Sequence, residues 1–518
     1  MSSSSLLLSI IAHARAGALD HAWRLFREAG LEAVDDDPAV LSVRGRLLKD
    51  RALAAEGAAR RKLYGEAAAA YAKAGALSGA SYPLINAATL ALLAGDAAGA
   101  QAGAGKVLAA LDADPDEAET PYWRGATRAE ALLVLGQVDE ARAALAEAVA
   151  LAPRAWEDHA STLRQFALIL ASLDQDAGWL DALRPPRTLH FAGHMSLGQR
   201  AHDMALEAGR LLGLERVGFG YGALAAGADI VVAEALAAQG AELNVVLPSE
   251  PAAFRAASVA PAGGDRGARF DALLAAAESV RVVGSGADDP LAIELAAEVA
   301  MGCAAMRAQA LATEALQVVV VDDASGASGW SRSKWADSGR RQHVLVTPRE
   351  GAEPTGRPGS GTARLAALLL ADLGAGPEGR FVEEILPGLS AVAGRGPSPT
   401  APARWDGRRL SLVFAAPAQA AEAALAIAAV AREAKIAAHY GLVRMAPDPF
   451  GGDDLVLGEA AALAAAILAG APAGAIHVSD DFAAALHAGP PGGWRTEYVG
   501  DLASDDVARA TGLYALKA

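Results

Sequence analysis

The stretch LRPPRTLHF, residues 183–191, divides the chain into two kinds of sequence. Pro185 and Pro186 lack backbone donors and disfavour helix at and before their positions, so a helical segment arriving from the N-terminal side ends here. The residues that follow start a short apolar run of strand character, and a different pattern begins.

On the N-terminal side, from Leu6 to about Leu183, apolar residues recur at helical spacing, broken by Gly or Asp-Pro punctuation at residues 28–30, 36–38 and 112–115. The intervening segments have the length of helices in stacked hairpins of the tetratricopeptide kind. GQVDEARAALAEAVALAP, residues 136–153, is the clearest unit: a Gly turn, a helix whose alanines allow close helix approach, and a terminating Pro. Residues 1–184 are therefore expected to form an all-α helical repeat domain, which binds a partner or positions its neighbours rather than doing chemistry.

On the C-terminal side TLHFAG, RVGFGYG, AELNVVLP, SVRVVG and LQVVVVDD alternate with helical stretches. That alternation predicts βαβ units and a doubly wound, Rossmann-like α/β domain over residues 187–348. REGAEPTGRPGSGTA, residues 349–363, is rich in Gly, Pro and small polar residues and reads as a linker. Beyond it the strands RLAALLLAD, LSLVF, AAHYGLVRM and GAIHVS and the helix PAQAAEAALAIAAVAREA predict an α+β domain over residues 364–518.

Composition narrows the function classes. The chain has 518 residues, 53% of them hydrophobic but only 5% aromatic, which favours close-packed helices built from small aliphatics. Mean hydropathy is +0.22, yet no run of about 20 apolar residues occurs without a charge, so no membrane span is expected. The apolar run near the N-terminus is too short for a signal peptide and lacks a basic flank, and Cys303 is the single cysteine, which excludes an intramolecular disulfide. A cytoplasmic location is expected, with Cys303 as a small buried hydrophobe. The net charge of -16 disfavours nucleic acid as a partner.

In the middle domain FAGHM, residues 191–195, and GYGALAAGADIVVAEALAAQG, residues 220–240, lie where a strand gives way to a helix, at the strand edge where open α/β sheets bind ligands. Gly193, Gly220 and Gly222 let the backbone approach a phosphate whose charge the next helix N-terminus complements, or merely supply positive φ; Gly227 joins them as a candidate. Asp229 either caps the following helix or binds a ribose hydroxyl or base edge, and Glu234 lies five residues on. His194 is a ligand contact or a locally hydrogen-bonded structural residue.

Several stretches carry a resemblance. RGRLLKDRAL (44–53), YPLINAATLALLAG (82–95), YWRGATRAEALLVLG (122–136) and STLRQFALIL (161–170) resemble the TPR-S module, a repeat scaffold also found in stress-signalling protein kinases. FAGHM, GYGALAAGADIVVAEAL and NVVLP are similar to the SLOG superfamily, which implies binding or processing of a nucleotide-derived signal; the extended glycine-rich glutamate motif of its phosphoribohydrolase branch is not visible. LLLADLG, VFAAPAQAAEAALAIA, AHYGLV, VLGEAAALAAAILAGAPAGAIHVSDDF and EYVGDL resemble a class III adenylate or guanylate cyclase domain, implying a ferredoxin-like core and a dimer.

Cyclisation in that family uses two metal ions, Mg or Mn, held by two aspartates. Asp372 matches the first. The second position falls on Arg408, with Asp406 two residues too early unless the hairpin shifts. A guanidinium about 4 Å from a dication repels it by roughly 8 kcal/mol at an effective dielectric of about 20. The family's Asn and Arg, four residues apart on one helix, fall on Ala462 and Ala466; the base-selecting position falls on Leu455, beside Asp453 and Asp454. His439 matches a strand position usually held by His. The resemblance thus implies a degenerate cyclase that senses a nucleotide and acts through dimerisation and a repeat-bound protein partner. The alternatives are a working cyclase using Asp372 and Asp406, and a SLOG-centred nucleotide-processing enzyme.

Overall fold

The computed structural model describes residues 3–114, 119–284, 289–322, 327–349, 363–374, 377–449, 454–502 and 511–518. Apart from its first and last residues, the stretch expected as a linker lies outside them. The chain forms two compact units, Met1–Pro185 with Ala310–Ala312, and Pro186–Gln309 with Thr313–Ala518.

The first unit is helical. Helices Ser3–Arg15 and Leu19–Glu28 precede three packed hairpins, Pro38–Leu53 with Gly57–Ser78, Ser81–Ala94 with Ala97–Ala113, and Pro121–Val134 with Val138–Leu151, and Trp156–Ser172 follows. The punctuation read from the sequence does the capping. Asp37 accepts from the Ala39 N–H at 2.8 Å with Pro38 at the first helical position, and Asp96 and Thr120 cap the next two hairpins' helices. Small residues set the helix spacing: a Cβ on Gly125 would come within 2.9 Å of the Ala148 methyl. Glu130 ties three helices together, accepting from Thr89 Oγ1 at 2.6 Å and Gln165 Nε2 at 3.1 Å.

The second unit holds two sheets. Six strands, β1 (Arg187–Gly193), β2 (Val217–Gly222), β3 (Glu242–Leu247), β4 (Ser279–Val282), β5 (Ala315–Val321) and β6 (Arg341–Val346), pair in parallel in the order β4-β3-β2-β1-β5-β6. Strand order reverses between β1 and β5, and the C-terminal ends of strands at such a switch point are where open α/β sheets form a ligand crevice. Eight further strands follow: β7 (Ala363–Asp372), β8 (Arg404–Asp406), β9 (Arg409–Phe414), β10 (Lys435–Ala446), β11 (Leu455–Leu457), β12 (Ile476–Ser479), β13 (Arg495–Asp501) and β14 (Gly512–Lys517). Their order is β13-β14-β12-β10-β7-β9-β8 with β11 on β10, antiparallel except for the β10–β12 pair.

The two sheets, read from the sequence as separate domains, share a core. Helix Pro290–Ala310 is apolar on nearly every side, and such a helix must be covered all round. One side lies on the parallel sheet, where Thr188 Oγ1 donates to the Ala304 carbonyl at 2.7 Å. Leu295, Ala296, Val299 and Ala300 join Phe482, Ala484, Ile436 and Tyr440 of the mixed sheet's domain in one cluster, and Gly302 is pressed against the Ala484 backbone. Polar groups buried at this junction are answered: Glu298 accepts from Tyr440 Oη at 3.0 Å and pairs with Lys334 Nζ at 2.7 Å. Burial works against the charge on Arg281, but Asp481 and Asp480 outweigh it and hold the guanidinium protonated. Cys303 packs against this cluster, and burial pushes its thiol pKa up, which leaves it unreactive. Helix Glu459–Gly470 covers the other face of the mixed sheet, on Ala366, Leu368 and Val443.

Candidate functional sites

Two places in the second unit bring the sequence-derived candidates together. The first is the crevice at the C-terminal edge of the parallel sheet. Gly193 ends β1 beneath helix Ala228–Ala238, where a Cβ would meet Val320 at 2.8 Å and overlap Ala228. Gly227 caps that helix with φ +90°, and a Cβ there would strike the Met195 backbone at 2.5 Å. Both glycines let the chain pass close at the switch point. Gly220 and Gly222 do a different job from the phosphate approach expected of them: Gly220 lies inside β2 under Leu236, and Gly222 ends β2 where a Cβ would come within 2.6 Å of the Phe191 carbonyl oxygen.

His194 is committed locally. Its Nε2 faces the Thr347 carbonyl at 2.8 Å and its Nδ1 accepts from the Ser196 N–H at 3.3 Å, which assigns the Nε2–H tautomer. Burial, opposed by the Thr347 carbonyl and joined by Arg349, lowers its pKa and keeps it neutral. Glu234 sits on the far side of the helix in a bidentate pair with Arg269, 2.7 Å on each arm, and so does not reach the crevice.

Asp229 is placed differently from Glu234. It is 6% exposed in the first turn of helix Ala228–Ala238. Its Oδ2 accepts from the Ala225 N–H at 3.2 Å, while Oδ1 is buried with no hydrogen-bond partner among the described residues. Burial pushes its carboxyl up to about 7, opposed by the Ala225 and Gly193 N–H groups, which favour the anion. Ser249, just past β3 at the same edge, also buries an Oγ without a hydrogen-bond partner among the described residues. Sequence reasoning missed Ser249, and missed the ion pair of Asp322 with Arg349 beside the switch point, because a serine or a linker arginine carries no motif.

The second place is the pocket beside the end of β7, lined by Asp372, Gly374, Arg408, Glu433, Lys435 and Ala473. Asp372 Oδ1 accepts from the Gly374 N–H at 3.0 Å. Asp406 is not its partner. Cross-strand register sets Asp372 opposite Arg409 and Arg409 opposite Asp406, so the two aspartates flank one arginine, two strand spacings or roughly 10 Å apart. The Arg409 Nε lies 3.7 Å from Asp372 Oδ2. The two-residue turn Gly407-Arg408, with Gly407 at φ +59°, pins that register, and the hairpin shift that would bring Asp406 into place does not occur. Arg408 reaches into the pocket, donating Nη1 to the Gly374 carbonyl at 3.2 Å with its plane over Phe381. Beside Asp372 the pocket wall carries one further carboxylate, Glu433, and two cations, Arg408 and Lys435. Ala462 and Ala466 lie one turn apart on the outer side of helix Glu459–Gly470, opposite the packed Ala460 and Ala464, and offer only methyl groups.

The family model TPR-S, Tetratricopeptide Repeats-Sensor, matches residues 4–91. A search of curated proteins returns no match. Among solved structures the chain resembles the adenylyl cyclase CyaB from P. aeruginosa at 13% identity, over 30% of this chain and 95% of that one, with a TM-score of 0.25. It resembles the guanylate cyclase domain of RhGC from Catenaria anguillulae at 16% identity, over 30% and 96%, TM-score 0.24. An adenylate/guanylate cyclase/hydrolase from Silicibacter pomeroyi aligns at 18% identity, over 30% and 98%, TM-score 0.22. Scores this low do not bear on what the chain does.

The remaining expected positions are quiet. His439 is buried with Nδ1 2.7 Å from Ser479 Oγ, a packed strand residue. Leu455 opens β11 beside the exposed Asp454, and Asp453 lies outside the described residues. No described helix is long and apolar enough to cross a membrane.

Proposed function

We propose that the chain is a nucleotide-signalling protein whose last domain is a catalytically silent cyclase homologue, and whose parallel-sheet crevice holds a nucleotide-derived ligand at Asp229. The observation that carries this reading is the row Asp372, Arg409, Asp406 across three strands, which puts a fixed cation where two metal ions would need clustered carboxylates. Bare Ala462 and Ala466 support it, since the groups that orient the ribose and stabilise phosphoryl charge in such enzymes are missing. With Glu234 held by Arg269 and Asp322 by Arg349, Asp229 is left among the candidate carboxyls without an ion-pair partner in the described residues, which favours retention of a ligand over its turnover. The repeat unit binds a protein partner, and two copies of the chain pair through the last domain.

Purified chain incubated with ATP or GTP and Mn²⁺ is expected to yield no cyclic nucleotide. Cyclic nucleotide formation that disappears in Asp372→Ala would overturn the proposal. Mass spectrometry of small molecules carried through purification is expected to find a nucleotide-derived compound that is lost in Asp229→Ala.

A further inference from the structure

At the end of the parallel sheet opposite the crevice lies a second cavity of about 460 Å³, within the size range of small-molecule sites. It is walled by the start of β6, the end of helix Pro290–Ala310, the end of helix Asp480–Ala488 and the loop leading to Trp494. β5 runs seven residues between the two ends, so this cavity is roughly 20 Å from the crevice.

Its charges do not cancel. Glu215 and Glu314 are answered by two arginines: Arg341 lies 2.8 Å from Glu215 and 3.7 Å from Glu314, and Arg187 lies 3.1 Å and 2.9 Å from the same carboxylates. Arg340 is left over. Its Nη1 donates to the Gly489 carbonyl at 3.2 Å and its guanidinium lies 5.8 Å from the Trp335 ring centre, but no carboxylate pairs with it among the described residues. Burial lowers its pKa, the mark of a cation short of compensation. His487 adds no charge, because burial and the neighbouring Arg340 push it down to about 4, and its Nε2 lies 2.9 Å from Thr496 Oγ1. The net charge on the wall is one positive, with the flat Trp494 ring and two prolines beside it.

We propose that this cavity binds a small organic monoanion, a carboxylate on an aromatic or aliphatic body. The carboxylate takes the unused N–H groups of Arg340, a fork that suits its two oxygens. The body rests on Trp494. A phosphate dianion fits less well, since it exceeds the single uncompensated charge and meets Glu314 on the wall. Because the walls come from both sheets, such a ligand braces the junction between them.

Titration calorimetry of the full chain with salicylate tests this, with benzyl alcohol as the uncharged ring and inorganic phosphate as the bare charge. Salicylate is expected to saturate one site, with the other two weaker by about tenfold or more. Arg340→Gln and Trp494→Ala are each expected to weaken salicylate by about tenfold with far-ultraviolet circular dichroism unchanged. Should Arg340→Gln unfold by losing its helix-capping bond, Trp494→Ala alone decides the matter. Absence of saturable salicylate binding, benzyl alcohol binding as tightly, or salicylate binding that neither folded variant changes would each overturn the proposal.

Discussion

Burial holds the proton of Asp229 up to about pH 7, and that has a measurable sign. Its folded pKa, about 7, lies above the ordinary value of 3.8, so the folded state binds the extra proton between those limits. Stability therefore declines as pH rises from about 4 to about 7, by on the order of a few kcal/mol, and the loss is complete above that window. Asp229→Asn, which keeps the shape without the charge, is expected to flatten the thermal midpoint over this range and raise it at pH 8. An unchanged pH profile in that variant would show that the carboxyl is not the titrating group. The place of Asp229 at the start of the helix after β2 was legible in the sequence, because GYGALAAGA marks a strand-to-helix junction. Its orphaned oxygen was not, since that depends on which neighbours lack donors. Arg409 was likewise invisible as the barrier: counting positions singled out Arg408, whereas strand pairing sets Arg409 between the two aspartates.

Among elements, helix Pro290–Ala310 decides how the second unit holds together. Eleven of its 21 residues are buried, so it has no solvent face to spare. Gly302 lets it touch the Ala484 backbone, and no side chain fits between them. Gly302→Leu is expected to cost about 3 kcal/mol or more, because the obstruction is main chain and cannot rotate away. A thermal midpoint for that variant within a degree of the parent would contradict the packing described. The helical periodicity of this segment was readable, but its role was not: an evenly apolar, alanine-rich helix looks the same whether it covers one sheet or lies between two. The strands themselves were plain, TLHFAG and LQVVVVDD in alternation with helices and LSLVF and AAHYGLVRM in an α+β pattern, because β-branched and aliphatic runs bounded by glycine have few other uses.

For the molecule as a whole, the glycine- and proline-rich stretch after β6 suggested a boundary that the core does not respect. Val246, Val283 and Leu295 belong to the same cluster as Leu369, Phe414 and Phe482. Residues 186–518 are therefore expected to unfold in one calorimetric transition. A fragment of residues 186–348 is expected to aggregate or bind an apolar dye, because the flank of helix Pro290–Ala310 loses its cover. A monomeric fragment with its own sharp transition would count against a shared interior. The buried Gly302 notch also limits how this architecture can be recombined. A chimaera that grafts a foreign catalytic module after residue 362 must present a bare stretch of backbone at that notch, plus partners for Glu298 and Arg281. The safer cut lies upstream, at Pro185-Pro186, where the two sheets travel together as one cassette.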